Sequence, residues 1–286
     1  MEPIVDINIA VYNQASYLRQ TLDGVLEQKT DFSYRLLIGD DCSTDGSVDI
    51  LKEYEKNYPD KIKVIYQSKN LGLHSPERNG IILLKNSTAK YIALLDGDDY
   101  WIDPNKLQTQ IDFLENHLEY VGCFHNTEER YEESEKSSFL YCNYPIARSI
   151  SFGDLSYGNV IPTCSIVYRN NLFAEFPNWY SRLQMGDWTL HLLNAQFGNY
   201  WYIPKVMAVH RLHMKSVWML QDADRNNQFV IDAYEAMIKW FAHNKIYAQQ
   251  LTKAKELFKN SIRSEDYKWT VKRKIKNALI RLIEKL

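Results

Sequence analysis

Over its first 125 residues the chain alternates short apolar runs with stretches of helical periodicity, a pattern that points to a parallel sheet with crossover helices. Ile4 to Ala10 is mostly apolar, as expected of a strand covered on both faces. Leu18, Leu22, Val25 and Leu26 then recur at helical spacing. Arg35 to Ile38 reads as a second strand. Ser47 to Tyr58 reads as a helix with Ile50, Leu51 and Tyr54 on its apolar side, and Lys61 to Gln67 as a third strand. Asn79 to Lys85 is helical in pattern, Tyr91 to Leu95 is a fourth strand and Tyr120 to His125 a fifth. Pro104 occupies an expected first helical position, with the helix continuing over Lys106 to His117. Such an order implies right-handed crossovers, with chemistry on the loops at the strand carboxyl ends.

The second half is less regular. Glu128 to Tyr144 is polar and tyrosine-rich and reads as a mobile or substrate-covering loop. Ser165 to Tyr168 and Val206 to Arg211 read as strands and Asp187 to Phe197 as a helix; from about Asp222 the pattern is helical to the end. With 286 residues, 45% of them hydrophobic, the chain can build one large domain with an appendage. A formal net charge of -2 excludes a global basic field for nucleic acid. Cys42, Cys123, Cys142 and Cys164 are scattered without a CxxC pair, which argues against a zinc knuckle. Glu2 and Asp6 flank only a short apolar run, unlike a secretory signal, and no uninterrupted run approaches the roughly 20 residues of a membrane span. A reduced, cytoplasmic location is the resulting expectation.

Three loops at strand ends stand out: Val11-Tyr12-Asn13, Gly39 to Gly46, and Asp96-Gly97-Asp98-Asp99. The carboxylates of Asp96, Asp98 and Asp99 repel one another unless a cation neutralises them, and oxygen-seeking Mg²⁺ or Mn²⁺ does so well. A solvated acidic turn is the plain alternative. Asp40 or Asp41 can accept the imide N–H of a uracil-type ring, or can cap a turn; Asp45 reads as a cap. Asp187 opens an apolar helix, where the dipole favours an ionised carboxylate suited to a general base; a simple helix cap is the stronger reading from the residues alone. His210 to Trp218 concentrates cationic and hydroxyl donors suited to a departing diphosphate, and its His213 suits a metal equally.

Taken together, Asn8-Ile9-Ala10-Val11-Tyr12-Asn13, Gly39 to Ser47 and Ala93 to Asp99 resemble, in order and spacing, the inverting family-2 glycosyltransferases of GT-A fold. The resemblance is specific over about residues 4 to 125 and continues through Gly186-Asp187-Trp188 and Arg211-Leu212-His213. It implies an α/β fold with a mixed sheet flanked by helices, a catalytic domain over 1–219 with a nucleotide-sugar half (1–125) and an acceptor half (126–219), and a helical extension over 220–286. It implies that Ala10, Val11, Tyr12, Asn13, Asp40, Asp41, Asp96, Gly97, Arg211 and Ser216 hold the nucleotide. Tyr12 would lie near the base and Asp41 would accept from it. Asp98, Asp99 and His213 would bind Mn²⁺ or Mg²⁺, and Asp187 would be the catalytic base. The chain departs from the pattern at Val11, often Thr in the family, and at Gly186, often a second acid. The implied reaction moves a sugar, with inversion, from a UDP-sugar to a glycan or lipid-linked acceptor in cell-surface polysaccharide synthesis.

Two competing functions are a sugar nucleotidyltransferase and a non-catalytic nucleotide-sugar-binding module. The first usually needs a glycine-rich basic loop where this chain has Val11-Tyr12-Asn13-Gln14. The second would not require acids at every expected position. At the end of the chain, Val271, Ile275, Leu279, Leu282 and Leu286 recur at helical spacing among Lys and Arg, which suits either a peripheral contact with an anionic membrane or packing on protein, including a second subunit.

Overall fold

The computed structural model describes residues 2–72, 75, 78–132, 136–173, 175–213 and 223–263. The chain divides into two compact units, Met1–Met214 and Lys215–Leu286.

The first unit begins β1 (Val5–Val11), α1 (Ala15–Leu26), β2 (Tyr34–Asp40), α2 (Ser47–Asn57), β3 (Ile62–Tyr66), α3 (Asn79–Asn86) and β4 (Tyr91–Asp96). It continues with β5 (Tyr100–Trp101), α4 (Lys106–Asn116), β6 (Tyr120–Tyr131), β7 (Phe139–Leu140), β8 (Arg148–Ile150), α5 (Phe152–Ser156), β9 (Val167–Arg169), α6 (Gly186–Ala195) and β10 (Asn199–Leu212). The sheet runs β3-β2-β1-β4-β9-β6-β10-β5, with β7 on β6 and β8 on β10. The strands β3, β2, β1 and β4 are parallel, and β6 is parallel to β10; β9 lies antiparallel between β4 and β6.

β1 shows why this order holds. Val5, Ile7, Ile9 and Val11 are fully buried and pack in one core with Leu18, Leu22 and Val25 of α1. The alternate residues Asp6 and Asn8 are buried too, and each has a partner. Asp6 takes a bidentate ion pair from Arg35 at 2.9 Å and the amides of Thr88 and Ala89 at 2.7 and 3.0 Å. Ser87 donates to Asn8 at 2.9 Å. These bonds tie β1 to β2 and to the entry of β4, fixing the strand ends that carry the loops.

Two expectations need correction. Glu128 to Tyr144 is not simply a loop: β6 runs on to Tyr131 and Phe139–Leu140 pairs back on Glu128 and Glu129. The segment is tied back to β6 by side-chain bonds, Asn126 holding both backbone groups of Cys142 at 2.8 and 2.9 Å. Pro104 is not helical; α4 starts at Lys106 with Asn105 before it, and the Pro104 carbonyl accepts from the Lys29 amide at 2.8 Å.

In the second unit, α7 (Ala223–Trp240) and α8 (Lys245–Arg263) are joined by a single 3-10 turn at Phe241–His243, and Tyr234 meets Phe258 at 6.3 Å between ring centroids. The helical pattern over Val271 to Leu286 lies outside the described residues. Among the described residues no helix is long and apolar enough to cross a membrane.

Candidate active site

Register brings the sequence-selected loops together. Ala10 is paired with Asp96 across β1 and β4, and Val11 with Asp40 across β1 and β2. Beyond the strands, Asp41 donates its amide to the Val11 carbonyl at 2.9 Å. Asn13, at φ +53, a region that Asn tolerates, receives the Thr44 amide on Oδ1 at 2.8 Å and donates its own to Ser43 Oγ at 2.9 Å. Tyr12 is thereby presented with its side chain half exposed. Asp45 caps as expected, accepting from Ala15 at the start of α1 and from Ser47 at the start of α2, at 2.9 and 3.0 Å.

The two neighbouring acids of the second loop differ. Asp40 is buried, with Oδ2 accepting from the Ser43 amide at 3.1 Å and Oδ1 unbonded. Asp41 is clamped by the chain itself, each carboxylate oxygen accepting one backbone amide, Leu71 at 2.7 Å and Gly72 at 3.0 Å.

The acidic turn also separates its members. Gly97 bonds the Ala10 carbonyl through its amide at 2.9 Å, and a Cβ there would lie 2.4 Å from the movable end of Gln14, 3.0 Å from Val11 Cγ2 and 3.2 Å from the Ala10 carbonyl, so a side chain would crowd the turn. Thr21 of α1 brings its hydroxyl to the carbonyls of Gly97 and Asp99 at 2.9 and 2.7 Å. Asp98 points at His213, Oδ2 to Nε2 at 2.9 Å, between residues 115 apart in the chain. Asp99 turns inward: it is almost fully buried, Oδ1 accepts the Arg211 amide at 2.9 Å and Oδ2 has no hydrogen bond. The Arg211 guanidinium is committed inside the protein. It donates to the carbonyl of Asp98, to Gln20 Oε1 and, at 3.1 Å, to Glu132, and lies over Tyr17 and Tyr100 at 5.0 and 4.2 Å. Ser216 lies outside the described residues.

Asp187 is the second residue of α6, after Met185 as the cap position, and it caps nothing with its side chain. Its Oδ2 accepts from Asn159 Nδ2 at 2.8 Å and Thr163 Oγ1 at 3.4 Å. Asn159 and Thr163 lacked any motif that would have marked them. Asp187 is near enough to act on the acidic turn. Burial first, then the charges of Asp98, Asp99 and Asp187, push the Asp96 carboxyl well above its usual range. Asp99 is raised to about 7, again chiefly by burial. In Asp98 burial acts upward, but the hydrogen bond and charge of His213 outweigh it and the carboxyl is held low. His210 was noted in the sequence only as part of a basic run. It bonds Glu129 at 2.6 Å, and burial's downward pull loses to the charge of Asp99 and to Glu129, raising the imidazole to about 10.

Converging carboxylates of this kind are relieved by a cation. Among the described residues no three His, Cys, Asp or Glu side chains form a metal cage. Asp98 and His213 instead form a hydrogen-bonded pair at 2.9 Å, a carboxylate and an imidazole of the kinds that would hold a divalent ion. The donor types present therefore fit such an ion.

The model of the glycosyl transferase family 2 matches residues 6–173, more than half of the chain. The chain belongs to that family. It has the GT-A fold. Rv1520, an uncharacterized protein of Mycobacterium tuberculosis (strain ATCC 25618 / H37Rv), is 35% identical over 216 residues, which are 75% of this chain and 60% of the relative. The chain thus matches about three fifths of that relative's length. The structure of TarS 1-349 from S. aureus in complex with UDP has a TM-score of 0.61 at 17% identity, covering 87% of this chain and 70% of that 1-349 chain. The mannosyltransferase PcManGT from Pyrobaculum calidifontis, in complex with GDP-Man and Mn²⁺, has a TM-score of 0.60 at 14% identity, covering 98% of this chain and 81% of that one. At these identities the two structures establish the fold that this chain shares.

Proposed function

We propose that this glycosyltransferase moves a sugar from a UDP-sugar to a hydroxyl of a glycan or lipid-linked acceptor, with inversion and with Mn²⁺ or Mg²⁺, in cell-surface polysaccharide synthesis. The observation that carries the reading is the Asp98–His213 pair, placed beside Asp96 at the β4 end, whose carboxyl feels the charge of Asp187. TarS with UDP and PcManGT with GDP-Man and Mn²⁺ support a nucleotide-sugar donor and a divalent ion.

In this reading Tyr12, with Ala10, Val11 and Asn13, lines the base pocket, where the half-exposed ring of Tyr12 offers a stacking face. Asp40 and Asp41 shape that pocket from the β2 side. Asp41 does so while holding the backbone of Leu71 and Gly72, and Gly97 gives the donor close access to the turn. Asp96 faces the ribose. Asp98 and His213 hold the ion, which when bound supplies positive charge to the departing diphosphate. Asp99 and Arg211 fix the turn from behind, and Ser216 is assigned to the diphosphate on the family resemblance. Asp187 takes the acceptor's proton as the acceptor oxygen attacks the anomeric carbon and the nucleoside diphosphate leaves from the opposite face. The boundary between the compact units at Met214/Lys215 supports a catalytic domain near 1–219 and an extension over 220–286, which we assign to peripheral membrane or subunit contact.

Release of UDP from a panel of UDP-hexoses, with Mn²⁺ and with EDTA, tests the reading. Activity is expected with the metal alone, and Asp187→Asn should bind UDP normally while losing turnover. An Asp98→Asn protein should lose the thermal stabilisation that UDP with Mn²⁺ gives the wild type. Turnover by Asp187→Asn at the wild-type rate would refute the base assignment.

A further inference from the structure

Among the described residues, the carboxylate of Asp187 is gripped on one side only. Its hydrogen bonds there, from Asn159 at 2.8 Å and Thr163 at 3.4 Å, both fall on Oδ2. Asn159 is itself fixed. Its Oδ1 accepts the Ile161 amide at 3.1 Å, which dictates that the amide nitrogen faces Asp187. Its backbone carbonyl accepts the Tyr141 hydroxyl at 2.9 Å, and the next carbonyl, of Val160, accepts the Cys142 thiol at 3.4 Å. Cys142 is in turn tied to Asn126 of β6 by the pair of bonds described above. A continuous chain of contacts thus runs from the central sheet through Tyr141 and Cys142 to Asn159 and on to Asp187.

A carboxylate serving as a general base needs one oxygen free for the incoming proton and a fixed direction in which to present it. Two donors on Oδ2 occupy the lone pairs of that oxygen and leave Oδ1 for the acceptor. We infer that Asn159 is a positioning residue: buttressed by Tyr141, it pins Asp187 by Oδ2 so that Oδ1 receives the proton of the acceptor hydroxyl. This rests on the reading of Asp187 as the base. In the step, the acceptor O–H proton passes to Oδ1, the acceptor oxygen's electron pair forms the new bond to the anomeric carbon, and the pair of the breaking C–O bond leaves with the diphosphate. The arrangement suits this chain, where Gly186 leaves Asp187 without an adjacent acid.

The test measures UDP release from the best UDP-hexose with Mn²⁺, together with the Kd of UDP with Mn²⁺. Asn159→Ala removes the donor. Asn159→Asp removes it while keeping an acceptor for the Ile161 amide. Both should lower kcat about 10- to 100-fold, the worth of a hydrogen bond to a charged group, with donor KM and UDP Kd within about twofold of wild type. Tyr141→Phe should lower kcat less. In the Asp187→Asn background, Asn159→Ala should cause no further loss, since the two act as a unit. Wild-type kcat in Asn159→Ala, with Asp187→Asn inactive, overturns the positioning role and leaves the base intact. Wild-type kcat in Asp187→Asn overturns the base itself. A full additional loss from Asn159→Ala on top of Asp187→Asn identifies a merely structural residue and also overturns the proposal.

Discussion

Replacing Arg211 with methionine keeps an apolar stem between Tyr17 and Tyr100 but removes the guanidinium. Three acceptors then lose a donor: the Asp98 carbonyl, Gln20 Oε1 and Glu132 Oε1. Gln20 is exposed and Glu132 keeps 29% of its side-chain surface, so both turn to water at little cost. The Asp98 carbonyl loses a charge-assisted bond, worth about 1.5–3 kcal/mol. The ring contacts add about 1 kcal/mol. The net expectation is a loss of about 3 kcal/mol, or roughly 6–12 °C in Tm for a unit of some 200 residues. Thermal unfolding of nucleotide-free protein in EDTA reads this directly. UDP affinity should weaken as well, because the backbone carrying Asp98 is no longer held. An Arg211→Met protein that melts within about 1 °C of wild type yet binds UDP far more weakly would refute the internal role and restore Arg211 as a phosphate ligand.

Two further outcomes follow from packing and charge. Gly122→Ala puts a Cβ 2.8 Å from both Tyr200 Cε1 and the Val167 carbonyl and 2.9 Å from Tyr168 Cβ, all inside the sheet, so it should cost about 2 kcal/mol or more in urea unfolding; an unchanged midpoint contradicts this. His210, raised to about 10 against an ordinary 6.5, contributes stability that is complete below pH 6.5 and lost as the pH climbs toward 10. In metal-free protein its ring should therefore show imidazolium nitrogen shifts at pH 8, and Asp99 or Glu129 substitutions should lower its titration; a neutral ring at pH 7.5 would disprove the pairing.

The half of the fold that the sequence shows well is the half where strands are covered on both faces and helices on one. There the apolar runs are unbroken, and the loops that follow them fall at the same sheet edge. The apolar pattern of β6 breaks at the polar Asn126, Thr127 and Glu129, yet all three are buried, satisfied by Cys142, His210 and one another. β10 hides its length for another reason: Pro204 and Lys205 interrupt its apolar pattern, and the sheet absorbs them as a register shift against β6. Within the acidic turn the spacing could not tell Asp98 from Asp99. That difference depends on the Arg211 amide and the His213 ring, both more than a hundred residues away. Arg211 itself carried the right charge for a phosphate, and nothing local revealed that Glu132, Gln20 and two tyrosines already claim it.

The long reach of those contacts has a consequence for how the protein comes into being. Gln20 waits for a partner 191 positions downstream, and Asp98 for one 115 positions downstream. A nascent chain that has released its first 200 residues from the ribosome holds the sequence of β1 through β4, but it has no imidazole for Asp98 and no guanidinium behind the turn. On the proposed function, the donor site is therefore completed only when β10 is translated and laid beside β6, and prematurely terminated chains are expected to bind donor poorly.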